Sequence, residues 1–118
     1  PYPFQISRDR VSVEDSPVSV LAPQHPLLNF PTRISVEDFK GWIQERGLYF
    51  ADQWDPRYET IVACNDPGES AKAGGILYGR YGKGVFIYTG YSWFRQLPAG
   101  VPGAFRLFVN LISARGQR

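Results

Sequence analysis

Polar and apolar residues alternate across residues 5–13, with Ile6, Val11 and Val13 on the apolar side. The run stops at Glu14-Asp15-Ser16-Pro17, a turn signal, so it predicts a half-buried strand. A short apolar run at residues 18–21 predicts a second strand, ended by Pro23. Residues 23–31 form a proline-punctuated loop with one helical turn at residues 25–29. Ser35 is suited to cap a short helix over residues 36–42, because Glu37 and Asp38 follow in the first turn, where the helix dipole favours anions. Residues 47–54 and 58–64 read as strands. Residues 65–70 (NDPGES) are a turn cluster, and residues 72–75 a flexible approach to the next strand.

The strongest local pattern lies between Gly79 and Ser113. Two β-rich runs, residues 75–81 and 85–89, flank Gly82-Lys83-Gly84. We expect a hairpin with a type I turn and Gly84 in the left-handed region, forming a bulge. The final helix should start near Gly100, with Pro102 in its first turn, where a missing N–H costs nothing. Val101, Phe105, Phe108, Leu111 and Ile112 recur at helical spacing, widened by Ala104 and Leu107. That stripe should cover the hairpin and leave Arg106, Asn110 and Arg115 nearer water. The sum is an α/β or α+β fold: a mixed β-sheet with a C-terminal β-hairpin and a covering amphipathic helix. Residues 1–118 are read as one domain. A strand–loop–helix unit so close to the C-terminus, and a chain with no methionine, suggest a piece of a longer protein.

Composition narrows the function classes. A net charge of +2 with scattered basic residues gives no electrostatic footprint for nucleic acid, and no apolar run approaches a membrane span. The single cysteine, Cys64, lies in an apolar run and reads as a buried, inert thiol. His25, the single histidine, has no neighbouring ligand cluster. Neither a metal nor another cofactor is expected. Gly79, Gly82 and Gly84 join two strands rather than opening a helix, which favours a turn over a phosphate cradle. RVSVED at residues 10–15 recurs as RISVED at residues 33–38. Two copies in different contexts do not make a repeat fold.

Two segments mix large rings with polar groups, residues 42–50 and 91–100. From them we take Trp42, Glu45, Arg46, Tyr91, Trp93, Arg95 and Gln96 as candidate ligand-binding residues. The second segment follows a strand and precedes a helix, where α/β sheets place binding residues. The bland alternative is structural: Arg95, partly buried, pairs with Glu45 and fixes the loop.

The strings QERGLYFADQWDPRYE, DPGE and YGKGVFIYTGYSWFRQLPAGVPGAFRLFVNLIS resemble the C-terminal end of large bacterial proteins of the PIG-L (LmbE-like) deacetylase family, and the resemblance extends back to PYPFQISRDRVSVED. In that family a zinc-dependent N-acetylglucosamine deacetylase module precedes further domains. The last of these resembles a class I glutamine amidotransferase, flavodoxin-like in the manner of ThuA-like proteins. The resemblance implies that this chain is the C-terminal part of such a flavodoxin-like domain. The AHPDD-type zinc motif is absent, since His25-Pro26-Leu27-Leu28 does not match it. The amidotransferase cysteine is absent too, and Gly90-Tyr91-Ser92 stands where relatives carry a histidine. The implied function is therefore a non-catalytic accessory domain for assembly or glycan substrate placement. Its partners would be the remainder of the parent chain, a second copy or a glycan. Two alternatives stay open: a carbohydrate-binding module using exposed aromatics, which needs Trp42, Trp54 or Trp93 at the surface, and an enzyme with a cryptic carboxylate site.

Overall fold

The computed structural model describes residues 1–115. The chain folds as a small α+β domain in which antiparallel sheets are followed by a C-terminal helix. In place of one mixed sheet there are three small ones, and every strand pairing among the described residues is antiparallel. β1 (Phe4–Val11) pairs with β3 (Gly47–Trp54). β2 (Val18–Val20) pairs with β5 (Val62–Cys64). β4 (Glu59–Thr60), β6 (Ile76–Tyr81) and β7 (Gly84–Thr89) form the third sheet, with β6 in the centre.

The β1–β3 ladder is not regular. Phe4 faces Trp54 and Gln5 faces Gln53, but the register then slips at three points before Val11 meets Gly47. Ser7 fills one gap: its hydroxyl donates to the Phe50 carbonyl at 2.6 Å and accepts from the Asp9 N–H at 2.9 Å. A side chain thus satisfies backbone groups that a bulge leaves unpaired. Tyr49 takes the strain of the bulged strand, with φ at +56°.

Residues 58–64 do not form one strand. The chain changes sheets at Ile61, which is fully buried between β4 and β5, and its carbonyl accepts from the Leu21 N–H at 2.8 Å. This corner lets one apolar run serve two sheets, a role that periodicity cannot reveal. Residues 72–75 are likewise pinned. Lys72 exchanges backbone bonds with Cys64 at 2.8 and 3.2 Å, and the Gly74 carbonyl accepts from the Ala51 N–H at 3.0 Å. The hairpin forms as expected, but its turn differs. Tyr81 pairs with Gly84, the loop is Gly82-Lys83, and Gly82 rather than Gly84 has positive φ, +58°. Positive φ at the first of two loop positions is the type II′ pattern, whose twist suits a tight hairpin.

Ser35 caps as expected. Its hydroxyl accepts from the Glu37 N–H at 3.2 Å, and the Asp38 carboxylate accepts from the Ser35 N–H at 3.0 Å. The element is a single 3-10 turn, Val36–Phe39, rather than a helix to Trp42, because the backbone is already extended at Lys40. A second 3-10 turn covers Pro26–Leu28. The chain then ends in α1 (Trp93–Gln96) and α2 (Pro102–Ile112).

α2 packs mainly on the two 3-10 turns and on α1, not on the hairpin. Its buried face is Gly103, Ala104, Leu107, Asn110 and Leu111, whereas Phe105 and Ile112 of the expected stripe face water, Ile112 being 70% exposed. Two features rotate the helix. Gly103 lies so close to the capped turn that a Cβ would sit 1.8 Å from the Asp38 carbonyl oxygen, so only glycine permits the approach. Asn110, expected near water, is fully buried. Its amide donates to the carbonyls of Leu27 (2.8 Å) and Thr32 (2.6 Å) and accepts from the Thr32 N–H (3.1 Å). Arg106 reaches the Asp38 carboxylate at 2.6 Å from the edge of the same face.

Asn110→Ala should therefore destabilise the chain by about 2–4 kcal/mol, because it strands buried carbonyls. Ile112→Ala should change stability by less than about 0.5 kcal/mol. Urea unfolding midpoints of the two variants check the assignment; equal losses would mean that the expected stripe is the packed one.

Candidate functional site

The two ring-bearing segments come together. An antiparallel bridge joins Gly47 to Tyr91, and the Ser92 N–H donates to the Arg46 carbonyl at 2.9 Å. This brings Trp42, Glu45 and Arg46 against Tyr91, Trp93, Arg95 and Gln96, although about 50 residues separate the two groups.

Arg46 lies at the entry to β3 and is 4% exposed. Its Nε and Nη2 donate to the Ser16 carbonyl at 3.1 and 2.6 Å, and Nη1 donates to the Phe39 carbonyl. The guanidinium also lies 5.8 Å from the Phe39 ring centre and 5.9 Å from that of Trp42. Burial pulls its pKa below the ordinary value. The group nonetheless stays charged, since the shift starts from an unusually high reference. A planar fork with five donors suits this task, because one side chain can bind two carbonyls that belong to different loops.

Gln96, fully buried in α1, works the same way with a neutral amide. Its Oε1 accepts from the Ile43 N–H at 2.8 Å, and its Nε2 donates to the Ile43 carbonyl at 2.9 Å and to Ser92 Oγ at 2.9 Å. Ser92 Oγ in turn donates to the Glu45 carbonyl at 2.7 Å. Residues 43–46, which make few ladder bonds of their own, thus have their backbone groups bonded by side chains from the second segment.

The rings close the cluster. Trp42 stacks on Phe39 at 5.3 Å and meets Trp93 edge-on at 5.5 Å, and its indole N–H donates to the Asp38 carbonyl at 2.9 Å. Tyr91 is buried, and its hydroxyl lies 3.5 Å from Cys64 Sγ. Burial raises the pKa of both groups, so both are neutral at physiological pH and the thiol is a poor nucleophile. Arg95 pairs with Glu45 at 3.1 Å. The Glu45 side chain is 10% exposed and that of Arg95 41%. Of the seven candidate residues, only Trp93 and Arg95 present appreciable surface.

His25 lies elsewhere. Its Nδ1 accepts from the Leu27 N–H at 3.1 Å, so Nε2 carries the proton and donates to Glu59 at 2.7 Å. The ring also meets Tyr78 edge-on at 4.6 Å. Cys64 touches Tyr91 rather than His25. Among the described residues no group of three or more His, Cys, Asp and Glu side chains is placed to hold a metal ion. Also among them, no helix is long and apolar enough to cross a membrane.

Sequence reasoning missed Ser16, Phe39 and Ser92, the partners of Arg46 and Gln96. Two of these bonds use backbone carbonyls, which every residue carries, so no side-chain pattern marks them. Glu59 as the partner of His25 was also missed, since it sits in a strand 34 residues away.

No family model, curated protein or solved structure matches this chain.

Arg46→Ala should cost about 3–5 kcal/mol, since it leaves buried carbonyls at Ser16 and Phe39 without donors. Arg95→Ala should cost about 1–2 kcal/mol, because the pair is partly screened by water although Glu45 is left unpaired. Thermal melts of both variants decide the order; an Arg95→Ala loss exceeding that of Arg46→Ala would make the surface pair the true clamp.

Proposed function

We propose that this chain is a non-catalytic accessory domain of a larger protein related to the PIG-L (LmbE-like) N-acetylglucosamine deacetylases, acting in assembly with its parent chain or in placing a glycan substrate. The observation that carries this reading is the direction of its polar side chains. Arg46, Gln96 and Ser92 bond inward to backbone carbonyls and hold two chain segments together. Among the side chains it presents outward are large apolar ones: Tyr49, Phe94, Phe105 and Ile112 are all exposed. Such a surface suits contact more than chemistry. The sequence resemblance supports the family part of the reading. In its flavodoxin-like form, the reading places the parallel strands of that domain in the remainder of the parent chain.

Carbohydrate binding through exposed aromatics is the second reading. Trp42 is buried and cannot serve it, but Trp54 is partly exposed at the end of β3.

The purified chain should bind no stoichiometric zinc and release no acetate from N-acetylglucosamine oligomers. Zinc at one equivalent by metal analysis, or deacetylation lost in His25→Ala, would overturn the accessory reading. Light scattering should show dimers or larger species formed through the exposed apolar side chains. A monomer at every concentration would remove self-assembly and leave contact with the parent chain or a glycan.

A further inference from the structure

β7 is an outer strand of the third sheet, paired with β6 and with no other strand among the described residues. The two-residue loop makes Tyr81 and Gly84 a bonded pair. Bonded and non-bonded pairs then alternate along an antiparallel ladder, so Gly84, Phe86 and Tyr88 exchange backbone bonds with β6. The Gly90 N–H, which donates to the Gly75 carbonyl at 2.9 Å, continues the same phase. The N–H and C=O groups of Val85, Ile87 and Thr89 therefore point away from β6. Among the described residues no backbone bond from a loop or from another strand reaches them.

The two faces of β7 are occupied, and its outer edge is not. Val85 and Ile87 pack against the larger apolar cluster, Phe86 and Tyr88 against the smaller one. The Phe4 ring rests on Phe86 and Tyr88 at 5.9 and 5.0 Å, and the Trp93 indole donates to Thr89 Oγ1 at 3.1 Å. The strand is thus held in place with one row of polar backbone groups open.

Folded proteins blunt such edges with short strands, bulges, charges or proline. The other small sheets here show those devices. β2, β4 and β5 have three, two and three residues. The β1–β3 ladder slips register at three points, and its strands carry Arg8, Asp9, Arg10 and Asp52. β7 runs for six residues, GVFIYT, in unbroken register, with no charge and no proline.

A row of free N–H and C=O groups selects an extended backbone as its occupant. Charge and register favour the strand's own copy. An antiparallel pair centred on Ile87 sets Val85 opposite Thr89 of the second copy and Phe86 opposite Tyr88 of the second copy. Val85, Ile87 and Thr89 then all gain backbone bonds, and the rings meet in the closer, non-bonded pairs, where aromatic side chains interact best. No like charges face each other across the pair. The nearest cation, Lys83 in the hairpin loop, is carried to opposite ends of the joint, roughly 26 Å from its copy at ~3.3 Å per residue and beyond the ~8 Å screening length.

We propose that β7 pairs antiparallel with β7 of a second copy, joining two three-stranded sheets into one across a two-fold axis at Ile87. The proposal rests on the assembly part of the accessory reading and gives it a surface.

The test is a dilution series of the intact chain, followed in parallel by sedimentation and by amide hydrogen exchange. As dimers form, exchange at Val85, Ile87 and Thr89 should slow about tenfold or more, and exchange at Phe86 and Tyr88, already bonded to β6, should change far less. Val85→Pro removes an outward donor without touching the β6 ladder, and should raise the dimer dissociation constant about tenfold or more. Ile112→Glu, on the exposed side of α2, should leave it unchanged. The exchange pattern of the unmodified chain decides the matter even if Val85→Pro fails to fold. Dimers in which Val85, Ile87 and Thr89 exchange as in the monomer, or which survive Val85→Pro and dissociate in Ile112→Glu, would overturn the edge while self-assembly stands. A monomer at every concentration would overturn both, and leave the accessory reading with its parent chain or a glycan.

Discussion

A guanidinium almost wholly removed from water sits where three loops meet, and the fold is arranged around the need to satisfy it. Arg46 enters β3 from a stretch with little ladder pairing, and its donors take the carbonyls of Ser16 and Phe39. A buried cation without such partners would be strongly unfavourable. The loop after β1, the capped turn at Val36–Phe39 and the start of β3 are therefore fixed relative to one another. The second segment completes the arrangement through Ser92 and Gln96, which bond the backbone on either side of Arg46. α1 and α2 come directly after it in the chain, so the position of the C-terminal helix depends on this junction as well.

Three short sheets, rather than one, surround that junction. Two of them have only two strands, too few to be independently stable. They share a core because the chain turns corners at Ile61 and at residues 72–75, carrying apolar side chains from one sheet to the next. Val11, Phe50, Ile61, Ile76, Tyr91 and Leu107 come from nearly every element and lie in one cluster. A smaller cluster of Ala51, Tyr58 and Leu77 is roofed by rings, Phe4 and Trp54 among them. The two clusters have different consequences. The larger one faces α2 and the polar junction and is closed to solvent. The smaller one grades into the surface, so its aromatic rim remains available for contact.

This division orders the functional reading. The residues that looked most like a binding site form an interior clamp, and their polarity serves backbone groups. The Trp54 ring belongs to the other cluster, packed with Phe4 over Ala51, Tyr58 and Leu77. On the proposed reading, a domain so built would contribute surface and position to a larger protein.

What the sequence determined by itself is what short-range geometry dictates. The Ser35 cap, the β6–β7 hairpin, β3 from Gly47 to Trp54 and a last helix starting near Gly100 with Pro102 in its first turn were all legible, because capping, alternation and ring-locked φ act within a few residues. The Arg95–Glu45 pair was legible too, since opposite charges in two odd segments leave few alternatives. The buried face of α2 was not. Periodicity says that a helix has an apolar side, but which side meets the protein was decided by Gly103 against the Asp38 backbone and by Asn110 between Leu27 and Thr32. The hairpin's left-handed glycine, the break at Ile61 and the inward turn of Arg46 and Gln96 were settled in the same way. Each depends on a backbone carbonyl or a close approach supplied by residues far along the chain, and carbonyls are the same at every position, so only the tertiary structure could say which ones would be there.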